Sequence, residues 1–236
     1  MTRSRMHDPV DAVRGKPIYT ADIVPENVLR VKALRSEHPH ALIKRVDVSA
    51  ALKVAGVVEV LTAKDVPGQN VVGTVVPDRP FLASDKVRCL ADPVALVVAV
   101  DEEAADRGVE EVDVEYEVLE PVYDPVAALE PSAPKVHDGG NLLKKYIVRK
   151  GDVSLGFSQS DVVVQDEFRT QMQDPAPIEP EAAYAVPDAD GCLTIYGSIQ
   201  NPYYVLGGVS KILGLPRERI RLVAMAMGGT FGGKSD

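Results

Sequence analysis

Tryptophan is absent from this 236-residue chain, phenylalanine occurs four times, and aromatic residues together make up 5%. So few rings leave no stacking platform for single-stranded nucleic acid. The net charge of −9 points the same way, because a nucleic-acid binder carries a basic face. Long hydrophobic runs are also missing. None approaches the roughly 20 residues needed to cross a bilayer, so neither nucleic acid nor a membrane is expected as a partner. The opening, MTRSRMHDPVDA, is polar and lacks the apolar centre of a secretory signal. Cysteine occurs twice, at Cys89 and Cys192, far apart and without metal spacing or a disulfide framework. The pair reads as two buried thiols in a reducing cytoplasm, which is the expected location. His38 and His40 flank Pro39 with no carboxylate or cysteine at ligand spacing, so a structural role is expected and no metal ligands are assigned.

What is present is ordinary for a globular protein: 45% hydrophobic and 26% charged residues, with enough length for two compact units. Residues 1–15 read as a flexible lead-in. Alternating strands follow at 28–34, 43–48 and 57–61, with short helical turns at 50–54 and 62–65 and an irregular stretch at 67–80. A short strand at 86–90 precedes PVALVVAV (93–100), a continuous apolar run suited to a strand covered on both faces. The acidic start of 101–111 marks an exposed helix, with Glu102, Glu103, Glu110 and Glu111 on a solvated face. Val112 to Val118 alternates strictly. Strand, helix and strand at this spacing suggest a split βαβ unit in an α+β domain covering 16–129.

A Pro- and Gly-rich linker at 130–142 leads to a second unit, 143–236. Its expected elements are a strand at 146–149, a helix at 153–159, a long strand at 161–172 and a strand at 193–197. A helix opens at Asn201-Pro202 and carries the stripe Val205, Leu206, Val209, Ile212 and Leu213 until Gly214 stops it. The chain then returns through IRLVAMA (220–226). Apolar surface on this helix and last strand is expected to need further cover, which makes the second unit the less stable one.

That strand delivers MAMGGTFGGKSD, with Gly228, Gly229, Gly232 and Gly233 around Thr230 and Phe231. Four glycines in six residues mark a loop that turns tightly or presses its backbone against something. Loops of this kind offer several backbone N–H groups to an oxyanion. GGTFGGKS also fits the phosphate-loop pattern G-x-x-x-x-G-K-[ST], but no helix follows to aim its dipole, and a nucleotide hydrolase is not expected. Glu179 and Glu181, on a Pro-bounded segment, resemble an acid/base pair but are expected to flank a turn or strand start.

Seven motifs in order carry a family resemblance: VRGKPIYTADI (13–23), ALRSEHPHALI (33–43), VVEVLTAKDVPG (57–68), DKVRCLADPVALVVA (85–99), VDVEYEVLEPVYDP (112–125), IEPEAAYA (178–185) and the terminal loop. Together they resemble the molybdenum-binding subunit of the xanthine dehydrogenase/aldehyde oxidase family. The resemblance implies a hammerhead-type α/β domain followed by a partial, mixed α+β molybdopterin-binding domain.

It also implies that the metal is held by the pterin's dithiolene rather than by protein ligands. A glutamine and the Phe-Gly of the glycine loop approach the metal's oxygen or sulfur ligands, and here those are Gln200 and Phe231-Gly232. Gly229, Thr230 and Gly233 complete the expected cofactor-binding set. The sequence departs from the family pattern in three places. Ser235 stands where many purine hydroxylases carry Glu, Pro175 where relatives often have His, and Ala91 where a glycine is usual. The family's general-base glutamate lies beyond Asp236, so no catalytic residue is assigned.

Two expectations follow. In one, the chain is the N-terminal portion or a split subunit of a molybdenum hydroxylase, not an enzyme active alone. It would act on an N-heterocycle or aldehyde with water-derived oxygen, alongside a second molybdopterin-binding chain or domain and partners carrying FAD and Fe–S centres. In the other, it is a catalytically silent scaffold or interaction module of the same fold.

Overall fold

The computed structural model describes residues 9–23, 25–73 and 76–235. Residues 1–8 of the expected lead-in, Val24, Thr74 and Val75 of the irregular stretch, and Asp236 lie outside them. Among the described residues the chain forms helices α1 (Pro9–Val13), α2 (Glu102–Glu110), α3 (Val153–Ser158) and α4 (Pro202–Leu213). Its strands are β1 (Arg30–Arg35), β2 (Ala41–Asp47), β3 (Val57–Thr62), β4 (Lys86–Val87), β5 (Pro93–Ala99), β6 (Asp113–Val118), β7 (Ala183–Pro187), β8 (Leu193–Gly197) and β9 (Ile220–Ala224). Helices and small sheets alternate irregularly, an α+β architecture.

Two antiparallel sheets have the orders β1-β5-β3 and β4-β2-β6. The apolar run of β5 is central, and its two faces explain why it does not alternate. Ala95 and Val97 pack with Ala51, Val60 and Val112, while Val94 on the opposite face packs with Ala41, Ala83 and Val87. β5 thus contributes to two clusters, and Val46 of β2 and Val114 of β6 pack against both. Helix α2 starts at Asp101, whose carboxylate accepts from the Ala104 N–H at 2.7 Å. It buries Ala104 and Ala105 against Ala99 and leaves the four glutamates exposed.

The expected split βαβ unit is not formed. Both edges of β5 are taken by β1 and β3, so β6 pairs with β2 in the other sheet. Cys89 is exposed rather than buried. It sits on a turn pinned by Asp92, whose Oδ2 accepts from the N–H groups of Arg88 (2.8 Å) and Cys89 (3.0 Å), and this turns the thiol outward. His40 is buried with Nδ1 2.7 Å from the Glu120 carbonyl, and His38 meets the Tyr116 ring edge-on.

The third sheet, β7-β8-β9, builds the site. β7 runs antiparallel to β8, whereas β8 and β9 are parallel, with Leu193 opposite Ile220 and Gly197 opposite Ala224. Parallel neighbours require a crossover, and α4 supplies it. Pro202 occupies the first helical turn, and Gly214 ends the helix at φ 64° with the Leu215 N–H bonded to the Ser210 carbonyl. The Lys211 and Ile212 carbonyls then accept from the Gln69 and Gly68 N–H groups, both at 2.8 Å. In this way the irregular stretch after β3 seals the helix end, supplying the Ile212 carbonyl with a partner and the Lys211 carbonyl with a second one beside the Gly214 N–H.

Residues 1–120 and 175–236 form one compact unit, and 121–174 a second. In the second, Asn141 organises the Pro- and Gly-rich segment by accepting from the Val136 N–H and donating to the Ala128 and Pro134 carbonyls. Helix α3 is capped by Asp152. The strands expected at 146–149 and 161–172 are absent. β-propensity is realised only against a neighbouring strand, and these segments have none: Val148, Val164, Phe168 and Met172 stay exposed.

Candidate functional site

Because β8 and β9 are parallel and in register, their C-terminal ends lie side by side. The residues that leave β8 and those that leave β9 therefore meet at one sheet edge. The first set holds Ser198 and Gln200; the second is the glycine-rich loop 228–234. Gln200 Oε1 accepts from the Gly232 N–H at 3.2 Å, and the Gln200 N–H donates to the Lys234 carbonyl at 2.9 Å. Of the expected set, the structure thus bonds Gln200 directly to Gly232 and places Gly229, Thr230, Phe231 and Gly233 on the same turn.

The loop is folded for close approach. The Gly233 N–H closes a turn onto the Thr230 carbonyl at 2.8 Å. Gly229 sits at φ 114°, and a Cβ there would come within 3.2 Å of the Pro177 side chain, so glycine is required. Phe231 adopts φ 48°, a strained conformation for an aromatic residue, and is 76% exposed. Among the described residues the N–H groups of Gly229, Thr230 and Phe231 have no hydrogen-bond partner, nor does the side-chain NH₂ of Gln200.

Three further residues complete the site, and none was in the expected set. Glu179 Oε2 accepts from the Gly228 N–H (2.7 Å), the Ser198 hydroxyl (3.0 Å) and Lys234 Nζ (2.9 Å), and Lys234 also donates to Ser198 Oγ at 2.8 Å. The side chains of Lys234 and Glu179 are only 1% and 10% exposed. Burial pushes the Glu179 carboxyl up, but the Gly228 N–H, Lys234 and Ser198 outweigh it and hold the group below its ordinary range. Glu179 does lie at a bend before β7, as the prolines suggested, but its carboxylate is the hub of the loop. Glu181 faces a different environment, a cleft of about 650 Å³ also lined by Arg35, Phe81, Tyr203, Arg217 and Gly233.

The lysine of GGTFGGKS is consequently engaged with a carboxylate and does not project toward a phosphate. The only sequence signals for this network were a charged residue in each motif, and the separation of 55 positions concealed the pairing.

Residues 14–120 match the aldehyde oxidase and xanthine dehydrogenase a/b hammerhead domain, and residues 136–236 match the molybdopterin cofactor-binding domain. The chain belongs to the xanthine dehydrogenase/aldehyde oxidase family. It is 40% identical over 224 residues to a probable xanthine dehydrogenase subunit of Bacillus subtilis, covering 95% of this chain and 30% of that protein. It is 35% identical over 229 residues to the nicotinate dehydrogenase large molybdopterin subunit of Eubacterium barkeri, covering 97% of this chain and 54% of that one. The aldehyde oxidoreductase of Desulfovibrio gigas superposes with a TM-score of 0.86 at 33% identity, over 95% of this chain and 26% of that one. A Cu,Mo-CO dehydrogenase gives 0.83 at 32% identity, over 100% and 32%. The chain therefore spans about a quarter to a half of the length of these relatives.

The residues present fit an anionic pterin–metal group. The loop offers uncharged N–H donors, and its one cation is already neutralised by Glu179. Glu179 Oε1 is buried and has no partner among the described residues, which leaves an acceptor for an N–H or O–H of an incoming group. Among the described residues no His, Cys, Asp and Glu cluster could hold a metal directly.

Proposed function

We propose that this chain forms one wall of the molybdenum-cofactor pocket of a hydroxylase that oxidises an N-heterocycle or an aldehyde with water-derived oxygen. The observation that carries this reading is the hydrogen bond from the Gly232 N–H to Gln200 Oε1. It fixes the amide so that its NH₂ donors, with the N–H groups of Gly229, Thr230 and Phe231, remain for an anionic centre. Gly229 and Gly232 keep Cβ atoms out of the approach, and Gly233 closes the turn. When bound, the molybdenum group supplies the two-electron oxidation. The chain's own part is to hold that group by hydrogen bonds and to fix its orientation without adding a protein ligand.

The cleft beside Gly233 has a volume suited to a small ring or aldehyde, in keeping with relatives named for nicotinate and aldehydes. Ser235 stands where, by the family resemblance, many purine hydroxylases carry a glutamate, which puts purine specificity in doubt. The proton-abstracting group is not assigned to this chain. Electrons leave through Fe–S and FAD centres on partner domains or chains, and a second molybdopterin-binding portion completes the pocket. The free thiols of Cys89 and Cys192 suit assembly in the cytoplasm.

The test is elemental analysis of the complete enzyme together with steady-state kinetics of Gln200→Ala. The purified complex should contain molybdenum. The variant should lose at least about tenfold in kcat, as expected for a lost donor to a reacting centre, while its melting temperature changes little. A metal-free complex, or unchanged turnover with molybdenum retained, overturns the reading.

A further inference from the structure

We infer that Glu179 is a positioning residue of the cofactor pocket, a charge-neutralising clamp that sets the geometry and the electrostatic character of the glycine-rich loop. The inference rests on the proposed function for its consequence in catalysis, but the clamp itself is a matter of geometry.

One carboxylate oxygen, Oε2, ties down both ends of the loop: Gly228 through its N–H at 2.7 Å and Lys234 through Nζ at 2.9 Å. Ser198, at the exit of β8, is drawn into the same triangle by donating to Oε2 and accepting from Lys234. From Lys234 the circuit continues through its carbonyl to the Gln200 N–H, and from Gln200 Oε1 to the Gly232 N–H. The donors proposed to face the cofactor are thus at the far side of a closed ring of hydrogen bonds whose anchor is Glu179. The glycines themselves cannot impose this shape, because residues without side chains have no packing to lock them.

The charge matters as much as the shape. Lys234 is a nearly fully buried cation on a loop that offers hydrogen bonds to an anionic group. Its pairing with Glu179 keeps the loop neutral, so its amides rather than a point charge set the potential. Without the carboxylate, a buried positive charge would stand a few residues from the amides, in surroundings where such charges act strongly.

Glu179→Gln and the double variant Glu179→Gln/Lys234→Gln, made in the complete enzyme, separate charge from shape. Hydrogen exchange of the amides of 228–234 is the first readout and needs no cofactor. In Glu179→Gln the Gly232 and Gly233 amides should exchange at least tenfold faster, a larger increase than that of the β8 and β9 amides. The double variant, neutral again, should bring them back to within about threefold of wild type. The second readout is the Mo(V) electron paramagnetic resonance signal together with kcat. Both should be altered in the single variant with molybdenum retained, and largely recovered in the double.

Wild-type exchange rates and signal in Glu179→Gln overturn the inference. So does a double variant that folds but is no better than the single. If Glu179→Gln fails to fold, the double variant decides: recovery of fold and signal supports the clamp, and failure of both overturns it. A wild-type complex without molybdenum would instead defeat the proposed function, and the exchange experiment would still decide the clamp.

Discussion

At the scale of single residues, the site depends on a few groups whose environments are unusual. Glu179 is held below its ordinary value of 4.5 despite burial, by the Gly228 N–H, Lys234 and Ser198. A carboxyl whose pKa falls on folding stabilises the native state at pH above its unfolded value, and that stabilisation fades as pH drops through the folded one. The melting-temperature gap between wild type and Glu179→Gln should therefore be full at pH 7 and shrink as pH falls below the carboxyl's ordinary value of 4.5. A gap that does not change with pH would show that the charge of Glu179 is not what stabilises the loop. Removing one member of a buried pair costs roughly 3–5 kcal/mol, so the gap at pH 7 should be several degrees. Surface pairs such as Arg107–Glu103, exposed and one helical turn apart, contribute far less.

At the scale of elements, two connections position the pieces, and each suggests a substitution. The turn after β4 places Ala91 at φ 66°, a conformation that favours glycine, and holds it there between the Ser36 carbonyl and Arg35. Ala91→Gly should raise stability by about 1 kcal/mol, seen as an upward shift in the denaturation midpoint; a lowered midpoint would show that the turn carries no strain. Gly68, by contrast, abuts the end of α4. A Cβ there would lie 2.1 Å from the Lys211 carbonyl oxygen and 2.6 Å from the Gly214 nitrogen. Gly68→Ala should therefore cost on the order of 1–3 kcal/mol and loosen the end of the crossover helix, measurable by chemical denaturation and by faster exchange of the Gly68 and Gln69 amides. The element pattern itself was largely legible: β5 as a doubly covered strand, the acidic start of α2 and the Asn201-Pro202 start each rest on neighbours within a few residues. The pairing of β6 with β2 was not, because a periodic pattern states which face is apolar but not which strand lies alongside.

At the scale of the whole molecule, the two compact units differ in how they are held. Residues 1–120 and 175–236 share three sheets and a buried core, whereas 121–174 hold one short α-helix and many exposed apolar side chains. With no strand ladder to protect its amides, this second unit should open first. Limited proteolysis of the polypeptide 1–236 should cut first between residues 144 and 172, and exchange there should be complete while β5 and β8 remain protected. Equal protection of the two regions would contradict this. The sequence pointed to a less stable second half but placed the boundary by composition, and it read strands where alternation is present without a partner.

Local periodicity and turn residues were enough to place most helices and strands of an α+β chain, though not β7, because these depend on short stretches whose residue types restrict the backbone directly. The ordered motifs, through the family they resemble, supplied the class of protein and the nomination of Gln200 and the loop around Phe231. Tertiary structure alone decided that β8 and β9 run parallel, bringing Gln200 onto Gly232, and that Lys234 is spent on Glu179 rather than offered to a phosphate. It also decided that 146–149 and 161–172 remain unpaired. Such outcomes depend on which distant segments meet, and a buried charge or a strand edge finds its partner through space, not along the chain.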